Sequence, residues 1–143
     1  MATVQRILVV DNEAGMLEVL EETLRRLGRR VDLELEPSPR RAADRLRNGE
    51  SFDLLITNLQ MPGMSGLQLL RVARDAAPSM RTLVLTGYAA GDTERRCRAA
   101  GALGFLAKPF LPEVLLGEVR TLLGEAGSAD TTAVGDDQAH ADA

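Results

Sequence analysis

Three uninterrupted apolar runs limit what this chain can fold into. They are Ile7-Leu8-Val9-Val10, Leu54-Leu55-Ile56 and Leu83-Val84-Leu85. A strand with one face in water alternates apolar and polar residues, whereas a short run without polar positions is covered on both faces. All three runs stop at polar residues: Asp11-Asn12, Thr57-Asn58 and Thr86. The second continues into Met61-Pro62-Gly63-Met64-Ser65-Gly66, a Pro/Gly-rich turn. Buried parallel strands deliver side chains in this way to the carboxyl edge of an open α/β sheet, where such sheets keep their sites.

The intervening segments fill in the rest. Leu17, Leu20, Leu24 and Leu27 repeat at helical spacing, and Gly28 stops them. Val31, Leu33 and Leu35 alternate with Asp32, Glu34 and Glu36, the pattern of an edge strand with its acids outward. Ser38-Pro39 starts a helix carrying Ala42, Ala43 and Leu46, which Asn48-Gly49 ends. The third strand is predicted over 52–57, and Leu67, Leu70 and Ala73 line the helix after it, which closes before Pro78. The fourth strand covers 82–86, and Asp92 is placed to cap a short polar helix reaching Ala100. The fifth covers 103–107, just ahead of Lys108-Pro109-Phe110. Pro112 opens a last helix with Val114, Leu115, Val119, Leu122 and Leu123 inward. Five strands alternating with five helices predict a parallel sheet covered on both faces. The edge pattern of the second strand fits a flavodoxin-like, doubly wound α/β fold with strand order 2-1-3-4-5.

Composition narrows the class. A chain of 143 residues is enough for one domain with a real core. No apolar run reaches the roughly 18 residues of a membrane span. Residues 1–5 lack the basic-then-apolar start of a secretory signal, so a cytoplasmic protein is expected. Cys97 is the only cysteine and His140 the only histidine, which leaves no disulfide and no zinc cluster. The net charge of −4 arises in residues 126–143, where Asp130, Asp136, Asp137 and Asp142 face no Lys or Arg. The body, residues 1–125, is electrically balanced, and nothing in it favours nucleic acid. Residues 126–143 are too polar to pack and are expected to form a disordered acidic tail beside a single domain, 1–125. Lys108 is the only lysine in a chain with 16 arginines, which marks a position wanting a compact ammonium.

In the predicted strand order the ends of strands one, three, four and five lie side by side. That edge carries Asp11-Asn12, Asn58, Thr86 and Lys108. Acidic and amide oxygens suit a hard cation. A hydroxyl and an ammonium suit phosphoryl oxygens. Taken singly, Asp11 and Asn12 are also good helix-cap residues, and Thr86 is an ordinary strand residue.

Together, these residues resemble the receiver domains of two-component response regulators, over about residues 4–124. The pieces that carry the resemblance are Ile7 to Glu13, Asp53 to Gly66 with Met61-Pro62-Gly63, Leu85-Thr86-Gly87 and Lys108-Pro109-Phe110. They occur in order, each at a strand end. The resemblance implies that Asp11 is the first acid of a metal-binding pair and that Asn12 stands in the second acid's place. It puts Asn58 at the phosphoacceptor position and makes the Gln60 carbonyl a third protein ligand for Mg²⁺. It makes Thr86 the switch hydroxyl, Phe105 the aromatic that moves with it, and Lys108 the lysine that pairs with acceptor and phosphoryl group. It also implies a cis bond before Pro109. Arg95, Arg96 and Arg98 crowd the fourth helix, on the side the family uses for docking, and fit an acidic partner.

Two amides depart from that pattern. An aspartyl phosphate forms by attack of a carboxylate oxygen, and the Asn58 amide is a poor nucleophile. Asn12 and Asn58 offer Mg²⁺ oxygen without charge, so weak or absent binding is expected. The reading is a non-enzymatic signalling domain that acts by protein–protein contact, with conventional phosphorylation lost at residue 58. Expected partners are a histidine kinase, a phosphotransfer protein or an output protein. No direct nucleic-acid or membrane partner is expected, and the expected state is a monomer or weak homodimer. The alternative is an ordinary phosphorylatable receiver with an engineered Asp→Asn change at residue 58. A flavodoxin-like enzyme is more distant. There is no glycine-rich phosphate loop and no strand-end Ser or Cys with a His base.

Overall fold

A computed structural model describes residues 3–124. The acidic segment and His140 lie outside the described residues. Strands β1 (Gln5–Val10), β2 (Val31–Glu36), β3 (Leu54–Asn58), β4 (Arg81–Thr86) and β5 (Gly104–Ala107) alternate with helices α1 (Ala14–Leu24), α2 (Pro39–Arg47), α3 (Gly66–Ala76), α4 (Thr93–Ala99) and α5 (Pro112–Leu122). All strand pairs are parallel, in the order β2-β1-β3-β4-β5. The flavodoxin-like architecture expected from the apolar runs is therefore the one observed.

The continuous runs divide their side chains between two layers, as strand period two requires. Ile7, Val9, Leu54, Ile56, Leu83 and Leu85 pack with α1 and α5. Leu8, Val10 and Leu55 pack with α2 and α3. Val84 meets Leu70, Cys97 and Ala100 on the α4 side. Cys97 is thus an ordinary core residue, 1% exposed.

Local chemistry sets the helix ends. Ser38 Oγ accepts from the Arg41 N–H, with Pro39 in the first turn. Ser65 and Gln68 form a reciprocal capping box that fixes the start of α3 directly after the β3 loop. Gly28 takes φ 87°, a left-handed conformation that closes the short 3₁₀ turn Arg25–Leu27 after α1.

Four details differ from the sequence reading. Glu36 is not outward but buried; its carboxylate accepts from the Ser38 N–H and pairs with Arg45 at 3.5 Å. It sits at the strand's carboxyl end, where the chain turns over the sheet, so it escapes the outward alternation of Asp32 and Glu34. In α5, Val114 is exposed and Leu116 is buried instead. The helix buries the flank next to its 115–119–122 stripe on one side only. In α3, Leu69 is fully buried, while Leu67 is only half-buried at the α4 side. Asp92 precedes α4 but makes no side-chain cap bond; it pairs with Arg95 at 3.5 Å.

Candidate functional site

Backbone pairing continues past the strand ends and holds the polar edge in place. The Asp11 N–H donates to Glu36 O, Leu59 N–H to Leu85 O, and Lys108 N–H to Thr86 O. The peptide bond from Lys108 to Pro109 is cis, as the resemblance implied. Gly66 N–H donates to Leu59 O at 2.7 Å, folding the loop back onto β3. A Cβ at Gly66 would lie 2.3 Å from the Asn58 carbonyl oxygen, so only glycine admits this approach.

Three predicted residues converge at this edge. Lys108 Nζ donates to Asn58 Oδ1 at 3.1 Å and lies 3.5 Å from Asp11 Oδ2. The side chain of Asp11 is 1% exposed and that of Lys108 16%. The other Asp11 oxygen accepts from the Glu13 N–H at 2.9 Å. Asn58 Nδ2 donates to the Gln60 carbonyl at 2.9 Å. Chemistry fixes this amide orientation, because an ammonium only donates and a carbonyl only accepts. Asn58 is therefore satisfied at both ends, and its neighbours Asp11 and Lys108 cancel each other's charge.

The remaining predicted residues stand further off. Asn12 is exposed, and its side chain makes no hydrogen bond among the described residues. Thr86 is fully buried, with its hydroxyl turned to Tyr88: it donates to Tyr88 O at 3.2 Å and accepts from Tyr88 N–H at 3.0 Å. Sequence reasoning gave Tyr88 no role. Its signal was its place as the only tyrosine, two residues beyond Thr86. Phe105 is half-buried against the cluster of Leu70, Val84 and Cys97. Beside the site, a groove of about 470 Å³ runs between the β3 loop and α4, with Tyr88, Arg96 and Cys97 among its lining. On α4, Arg95 pairs with Asp92, and Arg98 pairs with Glu94 at 2.9 Å and donates to Leu103 O.

The donor set does not fit a divalent cation. Mg²⁺ needs an octahedral shell of oxygens and favours carboxylates. Here Asp11 is the sole carboxylate of the set, and both of its oxygens are engaged. The Gln60 carbonyl already accepts from the Asn58 NH₂ group, a donor where a second ligand oxygen would be needed. Among the described residues no three His, Cys, Asp or Glu side chains group as a metal cluster.

Residues 7–120 match the response regulator receiver domain family. The chain belongs to this family. It is 34% identical over 112 residues to the chemotaxis protein CheY of Pseudomonas aeruginosa, covering 77% of this chain and 89% of CheY. It is also 34% identical over 122 residues to the response regulator protein PilR of the same organism, covering 85% of this chain but 26% of PilR. The receiver thus spans about a quarter of PilR's length. A CheY-like receiver from Methanospirillum hungatei superposes with TM-score 0.79 at 27% identity, covering 89% of this chain and 99% of that one. The chain is accordingly a receiver domain of two-component signalling, a family whose members interact with histidine kinases and other proteins and typically use Mg²⁺. None of its described helices is long and apolar enough to cross a membrane.

Proposed function

We propose that this receiver works by protein–protein contact in the cytoplasm, without taking a phosphoryl group at residue 58. One observation carries the reading: Asn58 holds the acceptor position as a neutral amide bonded on one side to Lys108 and on the other to Gln60. The amide nitrogen's lone pair is delocalised into its carbonyl, and its oxygen carries no charge with which to attack phosphorus. The same amide meets the Gln60 carbonyl with a donor, which supports weak or absent Mg²⁺ affinity. With the Asp11 and Lys108 charges paired, no net charge is left to draw in a cation or a phosphoryl donor. Signalling then passes through surfaces. The α4 face is the candidate for an acidic protein partner, and Arg96 is its one arginine without an ion pair among the described residues. If a partner bound the R96E/R95E variant as tightly as the native chain, this face would be excluded.

The direct experiment incubates the full chain with acetyl phosphate or phosphoramidate and Mg²⁺ and reads intact mass. A prior spectrum first excludes deamidated protein. The expected outcome is no added phosphoryl group. A rapid gain of one acid- and base-labile phosphoryl group mapped to residue 58 overturns the proposal.

A further inference from the structure

The groove beside the Asn58 edge lies between two walls. One is the β3 loop with the start of α3, and the other is α4 with the loop before it. The apolar lining comes from Leu59, Met61, Leu67 and Cys97, all buried or half-buried. The polar lining includes Gln60, Tyr88 and Arg96, all exposed. Among the described residues Arg96 is the one charged group of the lining, and no acid joins it. Helical spacing puts Thr93, Arg96 and Cys97 on one stripe of α4, toward the groove. Arg95 and Arg98 fall outside that lining and pair with Asp92 and Glu94. Arg96 forms no ion pair among the described residues, and the Gln60 amide and Tyr88 hydroxyl make no hydrogen bond among them.

Both walls are fixed from the Asn58 edge. The Gln60 carbonyl accepts from Asn58 Nδ2 at 2.9 Å, and the Tyr88 backbone bonds the Thr86 hydroxyl at 3.0 and 3.2 Å. Leu59 O accepts from Gly66 N–H at 2.7 Å. A groove formed in advance spares an occupant the cost of ordering it. Pockets for small ligands enclose most of the ligand's surface, whereas this groove is open to solvent along its length. It suits one or two side chains of a larger molecule. Its Tyr, Met and Arg are residue types that protein interfaces favour. An unpaired guanidinium beside apolar lining complements a carboxylate next to an apolar side chain.

We propose that the groove between the β3 loop and α4 seats a segment of a partner protein in which a leucine-like side chain lies next to an Asp or Glu. The apolar side chain fills the space against Leu59, Met61 and Leu67. The carboxylate pairs with Arg96, and the Tyr88 ring covers the contact. This seating rests on the reading of the domain as one that acts by protein–protein contact, and it puts the acidic partner on the flank of α4 facing the β3 loop. The pair at Arg96 lies at the rim, so binding weakens as salt screens it.

The test titrates the isotope-labelled full chain with a blocked nine-residue peptide of leucine and aspartate in a Gly/Ser background and follows backbone amides by NMR. At millimolar peptide and low salt, the amides of residues 59–61, 88 and 93–97 should shift saturably, and those of β5 and α5 should not. R96E should weaken binding at least about tenfold, and R95E less than about twofold. R96Q removes the charge alone and gives the same loss if the reversal disturbs α4. A peptide with asparagine for aspartate should lose the binding. Four results overturn the proposal: no saturable shift at several millimolar peptide, shifts centred on β5 and α5, equal losses in R95E and R96E, or undiminished binding of the asparagine peptide. Equal losses in R95E and R96E would still support an acidic partner on α4, while a phosphoryl group at residue 58 would refute the reading of Asn58 and leave the groove's occupancy standing.

Discussion

Replacing Asn58 by Asp asks whether the amide is what closes this site. In the native chain Nδ2 donates to the Gln60 carbonyl at 2.9 Å while Oδ1 accepts from Lys108 at 3.1 Å. In N58D at neutral pH the atom facing Gln60 is an oxygen without a proton, so two acceptors stand at hydrogen-bond distance. Losing that bond and leaving the carbonyl opposite an anion costs about 1–3 kcal/mol. The added charge strengthens the contact to Lys108 by about 1 kcal/mol, but it now shares that ammonium with Asp11. The net cost in EDTA is roughly 1–2 kcal/mol, or about 4–8 °C in Tm for a domain of this size. Mg²⁺ reverses the balance in N58D, because carboxylate and carbonyl then become ligands together. Cation at one hundred times its Kd would return about 2.7 kcal/mol. The assay is thermal unfolding of both proteins in EDTA and in millimolar MgCl₂. The expected result is an unshifted native chain, and an N58D variant that melts lower in EDTA and rises with Mg²⁺. An N58D protein more stable than the native chain in EDTA, or a native chain with the same Mg²⁺ shift as N58D, would refute the reasoning.

Four further substitutions probe the same scaffold. Lys108→Met leaves the buried Asp11 carboxylate without its cation and should cost about 2–4 kcal/mol in urea unfolding. Gly66→Ala puts a methyl group 2.3 Å from backbone that cannot move aside, costing more than about 3 kcal/mol; Gly104→Ala crowds the side-chain ends of Leu83 and Leu122, at 2.8 and 3.0 Å, with Glu118 Oε2 in ordinary contact at 3.8 Å, and should cost about 1–2 kcal/mol. Equal losses in the two glycine variants would contradict the distinction. Burial raises the Cys97 thiol's pKa, so the folded chain holds that proton longer than the unfolded one. Its contribution is complete below the unfolded thiol's pKa of about 8.5 and is lost as pH rises through the folded value. The stability advantage of the native chain over C97A, measured by denaturant titration, should shrink above about pH 8.5.

The fold was legible because its strongest signal is physical. A strand covered on both faces has no tolerance for polar side chains, so Ile7–Val10 and Leu83–Leu85 could be assigned without reference to their neighbours. The polar residues that end the runs were legible for the same reason, and Asp11, Asn58 and Lys108 do meet. What failed were inferences about direction. Alternation placed Glu36 in solvent, although it ends a strand just as Asp11 and Asn58 border theirs, and its carboxylate is drawn to the start of α2. Helical spacing could not separate Val114 from Leu116, since each flanks the same stripe and only the packing of α5 decides between them. The partner of Thr86 was hidden for a different reason: a hydroxyl's hydrogen bonds depend on the path of the loop after it, and pattern says little about loops.

That hidden partner bears on the proposed function. A receiver pocket competent for a phosphoryl group needs polar atoms held ready for it, and here they are engaged with one another. Asp11 divides its oxygens between Glu13 and Lys108, Asn58 spans Lys108 and Gln60, and the Thr86 hydroxyl both donates to and accepts from Tyr88. Each bond is worth only about 1 kcal/mol net, yet an incoming group must replace them all at once without leaving any buried partner unsatisfied. A carboxylate at 58 would favour that exchange by bringing charge, and a cation with it. The amide brings neither, which is why one side chain weighs more in this reading than Lys108, Thr86 and Phe105.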